Sequence, residues 1–199
     1  LVGDAVHDVL AGAFLRDDGA SMVAPLAPDL TLQIWDGAST GVDWPAPEPT
    51  RREPIVVGQH FAAAGTCLVF WEPPWIYGLD LEARVATFFT PDVAELKPWA
   101  RSQPCLRLLH AWCRASSRLI VHGAVIGRGD RGALLVGRGG SGKSTLAIAG
   151  ALAGWSYLGD DYVALDASAR PPLAHALYGI AKLAPDHLQR RLPDAAALR

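Results

Sequence analysis

The sequence predicts an α/β protein in two parts: a β-rich N-terminal domain over residues 1–98, and a domain over 99–199 built on a strand, a glycine-rich loop and a helix. Three observations predict it. Short runs of alternating or β-branched residues recur through the first hundred positions. From Leu106 the apolar spacing becomes helical. Further on, ALLVGRGGSGKSTLAIAGALAGW passes from an apolar strand through glycines into a run of small and aliphatic residues.

Leu30, Leu32 and Ile34 alternate with Thr31 and Gln33, the period of a half-buried strand. Further strands are expected at 55–57, 67–71 and 83–89. Between the first two, DGASTGVDWPAPEPTRREP is dense in Gly and Pro and reads as a long loop. Trp71, Trp75 and Tyr77 are expected in the core beside these strands, with a ligand-facing surface as the alternative. Near Pro98 the character changes. Pro104 opens a helix in which Leu106, Leu109, His110 and Cys113 share a face. His110 and Cys113 have no second pair to complete a zinc pattern, so that face reads as helix packing. Next, RLIVHGAVIGRGDRGALLVG forms two strands around a glycine turn at 127–132, and the Arg-Gly-Asp inside it is read as part of the turn.

The chain has 199 residues, half of them hydrophobic, enough for one or two domains with a core. A formal charge of −2 leaves no electrostatic footprint for nucleic acid or an anionic membrane. The longest apolar stretch, 146–158, is too short to span a bilayer. Leu1 to Leu15 carries two aspartates and no positive leader, unlike a secretory signal. Cys67, Cys105 and Cys113 form no Cys-x-x-Cys pair, and reduced thiols in a cytoplasmic protein are expected. Beginning with Leu and ending about sixty residues past the glycine loop, the chain is expected to be a fragment, a processed form or only the ordered part of a chain, with a C-terminal segment that closes the site either missing or disordered.

Gly137-Arg138-Gly139-Gly140-Ser141-Gly142-Lys143-Ser144 fits G-x-x-x-x-G-K-[ST] at every position, with Thr145 following. Glycines allow successive backbone N–H groups to turn around a phosphate, and the helix start adds its positive dipole end. Lys143 is expected on the β- and γ-phosphates and Ser144 on Mg²⁺. An apolar strand before the loop and a helix after it supply the setting that a P-loop requires.

Gly154 is placed to cap that helix, and a short strand then ends at Gly159-Asp160-Asp161. Adjacent carboxylates repel and form strands poorly, so they read either as a solvated turn or as a working pair. Beside a P-loop, one carboxylate can hold Mg²⁺ and the other can take a proton from an attacking hydroxyl. Either aspartate suits either task. His122, in VHGAV, falls on a strand able to run beside the P-loop strand; by residue type alone it reads as a core histidine.

Together, HGAVIG, GALLVGRGGSGKST, GW and LGDDYV resemble the HPr kinase/phosphorylase family, and more closely its shorter bacterial relatives, the HPr-kinase-like serine kinases. The resemblance spans roughly 119–165. It implies a P-loop kinase domain of the HPr kinase/PEP carboxykinase-like type that binds ATP with Mg²⁺. It implies Asp161 or Asp160 as base toward a seryl hydroxyl, Asp160 and Ser144 at the metal, Lys143 on the phosphates, and His122 tuning the base. The Glu-x-Arg-Gly-x-Gly signature of the bifunctional enzymes has no counterpart: the nearest stretch is HALYGIAKLAPDHL, where Lys182 reads as a surface residue or a substitute phosphate contact. Some of the shorter relatives serve ribosomal peptide maturation, including lasso peptides, and hexamers occur in the family. The expected activity is transfer of the γ-phosphate to a serine of a peptide or small protein, which the N-terminal half would recognise. Alternatives are a small-molecule kinase, an NTPase, or a nucleotide-sensing module.

Overall fold

Val6 and Leu10, one helical turn apart, are both fully buried, and around them Asp4–Phe14 forms helix α1. The computed structural model describes residues 4–14, 29–44, 60–63, 67–72 and 74–181. It divides into two compact units, Leu1–Gly12 with Asp17–Ala115, and Ala13–Arg16 with Ser116–Arg199. Among the described residues these hold five α-helices and two sheets, a mixed α/β fold.

The first unit carries a sheet of β1 (Thr31–Asp36), β2 (His60–Ala63), β3 (Cys67–Glu72), β4 (Trp75–Asp80) and β5 (Val85–Thr90), in the order β1-β5-β4-β3-β2. Neighbours are antiparallel except β1 and β5, which run parallel. Ile34, Leu79, Ala86 and Phe88 are buried in it. Strand β1 lies where alternation predicts it, and β3 and β5 where β-branched and aromatic runs do, whereas α1, β2 and β4 were not anticipated. The expected strand at 55–57 lies outside the described residues. Of the expected long loop, Gly37–Thr40 forms a single helical turn, α2. Tyr77 is buried and stacked on Phe88, with ring centroids 4.9 Å apart, so it is a core residue. Trp75 meets Trp99 edge-on at 5.6 Å.

Two helices follow, α3 (Pro98–Ser102) and α4 (Leu106–Ala115). Leu108, Leu109 and Cys113 are the buried residues of α4, and His110 is exposed, so the buried face is rotated from the expected one. Arg107 Nε meets Glu72 Oε2 at 2.7 Å, one reason α4 goes with the first unit and the division falls after Ala115.

In the second unit β6 (Leu119–Arg128) and β7 (Arg131–Val136) form a hairpin turning at Gly129-Asp130. Helix α5 (Lys143–Leu152) follows, then β8 (Ser156–Gly159), β9 (Tyr162–Asp166) and β10 (Leu173–Ala176). The sheet order is β10-β9-β6-β7, with β8 also paired to β6. Ala124, Ile126 and Ala147 are its core, and Ala133, Leu135, Trp155 and Tyr157 pack around them. Small residues let α5 lie close on the sheet: a Cβ on Gly150 would stand 3.2 Å from Ile126 Cδ1. Gly154, at φ +82°, ends the helix, donating its N–H to Ala151 O. No described helix is long and apolar enough to cross a membrane.

Candidate functional site

Val136 ends β7, and the chain enters the glycine loop at Gly137. Gly137 has φ +156°, and a Cβ there would stand 2.7 Å from Ser141 Oγ, so a side chain at this position would make the serine hydroxyl turn away. Ser141 N donates to Arg138 O at 3.1 Å across the turn. Gly142 caps α5 at φ +90°, a left-handed conformation that would strain any residue with a side chain. Lys143 Nζ donates to Gly137 O at 3.0 Å and to Arg138 O at 3.2 Å, tying the first helical turn to the start of the loop. Residues 137–141 are exposed, while Gly142, Lys143, Ser144 and Thr145 are half-buried. The first N–H groups of α5 have no partner within the helix, so an anion fits here on backbone grounds alone.

The sheet register sets the acidic pair against this loop. On one edge of β6, Gly123 pairs with Val136, the last residue before the loop. On the other edge β8 and β9 form one broken line, with Val125 opposite Gly159 and His122 opposite Tyr162. Asp160 and Asp161 occupy the break. Tyr162 N donates to Asp160 O at 2.7 Å over Asp161, whose φ is +63°. Such a tight turn centred on a non-glycine residue is strained, and strain of this kind collects at working sites. Gly123 N donates to Asp161 O at 3.1 Å and pins the turn to β6.

The two aspartates differ in surroundings. Asp160 is 3% exposed; its Oδ1 accepts from Asp161 N at 2.8 Å, and its Oδ2 is buried without a hydrogen-bond partner. Asp161 is half-buried. A carboxylate oxygen removed from water and left unpartnered is costly unless a cation or donor meets it. His122 is exposed, and its ring meets that of Tyr162 edge-on at 5.4 Å. It is therefore a surface residue of this strand end, not a core histidine. Sequence reasoning passed over Tyr157, two residues before Gly159, as an ordinary strand aromatic. Burial first, and then the charges of Asp160 and Asp161, push its ionisation well above that of a free tyrosine.

Within the second unit, then, one short stretch of β6 has the mouth of the glycine loop on one edge and the acidic turn on the other, with His122 on the stretch itself. Lys182 lies outside the described residues. No group of three or more His, Cys, Asp or Glu among the described residues is placed to hold a metal ion, His110 and Cys113 included. No family model, curated protein or solved structure matches this chain.

Proposed function

We propose that the second unit is the core of an ATP- and Mg²⁺-dependent serine kinase of the HPr-kinase-like type, acting on a peptide or small protein. The observation that carries this reading is the pairing of Gly123 with both edges of the site: with Val136 at the glycine loop and with Asp161 in the acidic turn. The glycine loop and the start of α5 would take the phosphates, with Lys143 as their counter-charge. The unpartnered Oδ2 of Asp160 suits a hard cation. Mg²⁺ is commonly held by one or two carboxylates plus substrate phosphates, so the lack of a three-residue cluster does not count against it. Asp160 and Ser144 would hold the ion, which supplies charge neutralisation when bound.

Asp161 is the better base of the pair, because Asp160 is buried whereas Asp161 is half-buried and within reach of an acceptor. It would take the seryl proton as the serine oxygen bonds to the γ-phosphorus and the bond from that phosphorus to the ADP oxygen breaks. His122, at the same strand end, would tune that carboxylate. The first unit would recognise the acceptor, and the reaction would run in the cytoplasm.

The test is incubation with Mg-ATP and serine-ended peptides, read by intact mass. One phosphate gained on a peptide, and lost in Asp161→Asn with ATP binding intact, supports the reading. Full turnover by Asp161→Asn removes that residue from the role of base. ADP release with no modified peptide replaces the reading with a small-molecule kinase or NTPase. Nucleotide binding without ADP release replaces it with a sensing module.

A further inference from the structure

Strand β7 stands at one end of its sheet, with β6 on one side and no described strand on the other. Its backbone groups divide by parity. The carbonyl oxygens of Arg131 and Leu135 lie over Gly127 and Gly123 of β6, at 3.4 and 2.9 Å from where a Cβ on each glycine would stand. In a strand the N–H and C=O of one residue point to the same side, and those of the next residue point to the other. Odd-numbered residues of β7 therefore spend their groups on β6, while Gly132, Leu134 and Val136 turn theirs to the open edge. The side chains at these even positions share one face, and two of them are apolar and exposed, Leu134 at 39% and Val136 at 66%. Leu134 Cδ1 and Val136 Cγ1 lie 3.4 and 3.5 Å from the place of a Gly123 Cβ, so they wall a shallow seat floored by that glycine. Natural sheets guard such edges with proline, lysine or a bulge; β7 has none of these, only Arg131 at its start. Six residues make an edge about 20 Å long and about 10 Å deep, which offers about 200 Å² to a partner. A standard stable interface takes about 800 Å² from each partner. The edge is too small to hold two copies of this chain together and suits a substrate that has to leave. Its Val136 end opens directly into the glycine loop.

We propose that the open edge of β7 docks the acceptor peptide as an added strand, with alternating apolar residues beside Leu134 and Val136 and the seryl end leaving past Val136 toward the loop. Backbone bonds to Gly132, Leu134 and Val136 supply affinity without regard to sequence, and the two exposed side chains select the alternating pattern. The inference rests on the kinase reading for the identity of the occupant as the phosphoacceptor, and it leaves the rest of that acceptor to the first unit. The register also fixes how far the serine must reach. From Asp161 the line crosses Gly123 on β6 and Val136 on β7 before it meets the added strand, three strand spacings or about 14 Å. An extended chain covers that distance in about four residues. A serine directly after the paired segment falls short of the base, and one placed about four or more residues beyond it arrives.

The probes are peptides with a Val-Lys-Val-Lys-Val segment, a run of one to seven glycines and a terminal serine, together with versions N-methylated at the valines or at the lysines. Affinity for the full chain is read by fluorescence anisotropy without ATP, and phosphate gained is read by intact mass with Mg-ATP. One methylation pattern should weaken binding at least about tenfold and the other leave it within about twofold, because only alternate residues face β7. Leu134→Pro removes one outward N–H and no bond to β6, so it should weaken binding about tenfold, the upper scale of one hydrogen bond, with ATP binding within about twofold. The methylated pair is read on wild type, so the test stands even where the proline variant does not fold. Equal affinity of the two methylated peptides, or of folded Leu134→Pro and wild type, overturns the docking edge, and serine phosphorylation that persists then leaves the kinase reading standing. Serine used equally at every linker length also overturns it. The expected binding pattern with no serine phosphorylated keeps the edge as a peptide site and removes the kinase reading. Failure of every peptide to bind overturns the docking, as does a wild-type dimer in sedimentation that Leu134→Pro dissolves, which would give the edge to a second copy.

Discussion

Replacing Asp160 with Asn separates a carboxylate kept for function from one kept for stability. In the folded chain this side chain is 3% exposed, with Oδ1 accepting from Asp161 N at 2.8 Å and Oδ2 unpartnered. Asparagine retains the Oδ1 bond through its amide oxygen. A hydrogen bond to a charged acceptor is worth about 1.5–3 kcal/mol against about 1 kcal/mol for a neutral one, so the retained bond weakens by roughly 1 kcal/mol. In the other direction, a buried ion carries an effective desolvation penalty of several kcal/mol, and a neutral amide much less. Desolvation outweighs the weakened bond, and the variant should be more stable by about 1–3 kcal/mol. At roughly 2–4 °C per kcal/mol for a chain of this length, calorimetry in chelator without nucleotide should show a melting temperature higher by about 3–10 °C. On the kinase reading, phosphotransfer should fall at least about 100-fold, because the anionic ligand proposed for the metal would be gone. A variant that melts lower and still transfers phosphate would refute the reasoning and make the carboxylate a structural brace.

Asp161→Gly should also trade function for stability. Its φ of +63° suits glycine, so relief of strain should stabilise the fold by about 0.5–1 kcal/mol in urea unfolding while transfer is lost. A destabilised variant would show that the Asp161 side chain holds the turn. Tyr77 and Tyr157 both have ionisations raised chiefly by burial, with Glu72 adding at Tyr77 and the two aspartates at Tyr157. A group raised in the folded state contributes stability that is complete below its unfolded value, near pH 10, and is lost as pH rises above it. Absorbance titration at 295 nm should therefore find at least two of the four tyrosines still protonated above the ordinary tyrosine range, ionising only as the chain unfolds. Ionisation of all four near pH 10 in folded protein would contradict that burial.

How much of this was legible beforehand depended on the kind of signal. The strand, glycine loop and helix around Gly137 to Leu152 were legible because backbone requirements there are met by residue type at fixed spacing. The hairpin at Gly129-Asp130 was legible for the same reason. Helix α1 was not, since only Val6, Leu10 and small alanines mark its buried face. Strand β4 was hidden by the prolines before it and by aromatics that read equally as a cluster. In α4 the period was right and its phase was off by one position, a shift that tertiary packing decides.

Within the site, residue identity and residue environment parted company. Asp160 and Asp161 are the same residue type in adjacent positions, and no sequence pattern can rank them. What separates them is a turn that buries one carboxylate and leaves the other half-buried. That turn depends in its place on Gly123, where a Cβ would stand 2.9 Å from Leu135 O on β7. Gly123 thus lets β7 approach on one edge while its N–H holds Asp161 on the other. The spacing between the glycine loop and the acidic turn is therefore set by the close pairing of three strands and not by loop length. A substitution at Gly123 that spread β6 from β7 would move the loop away from the aspartates without touching either, which makes this glycine as much a part of the candidate site as the residues that carry charge.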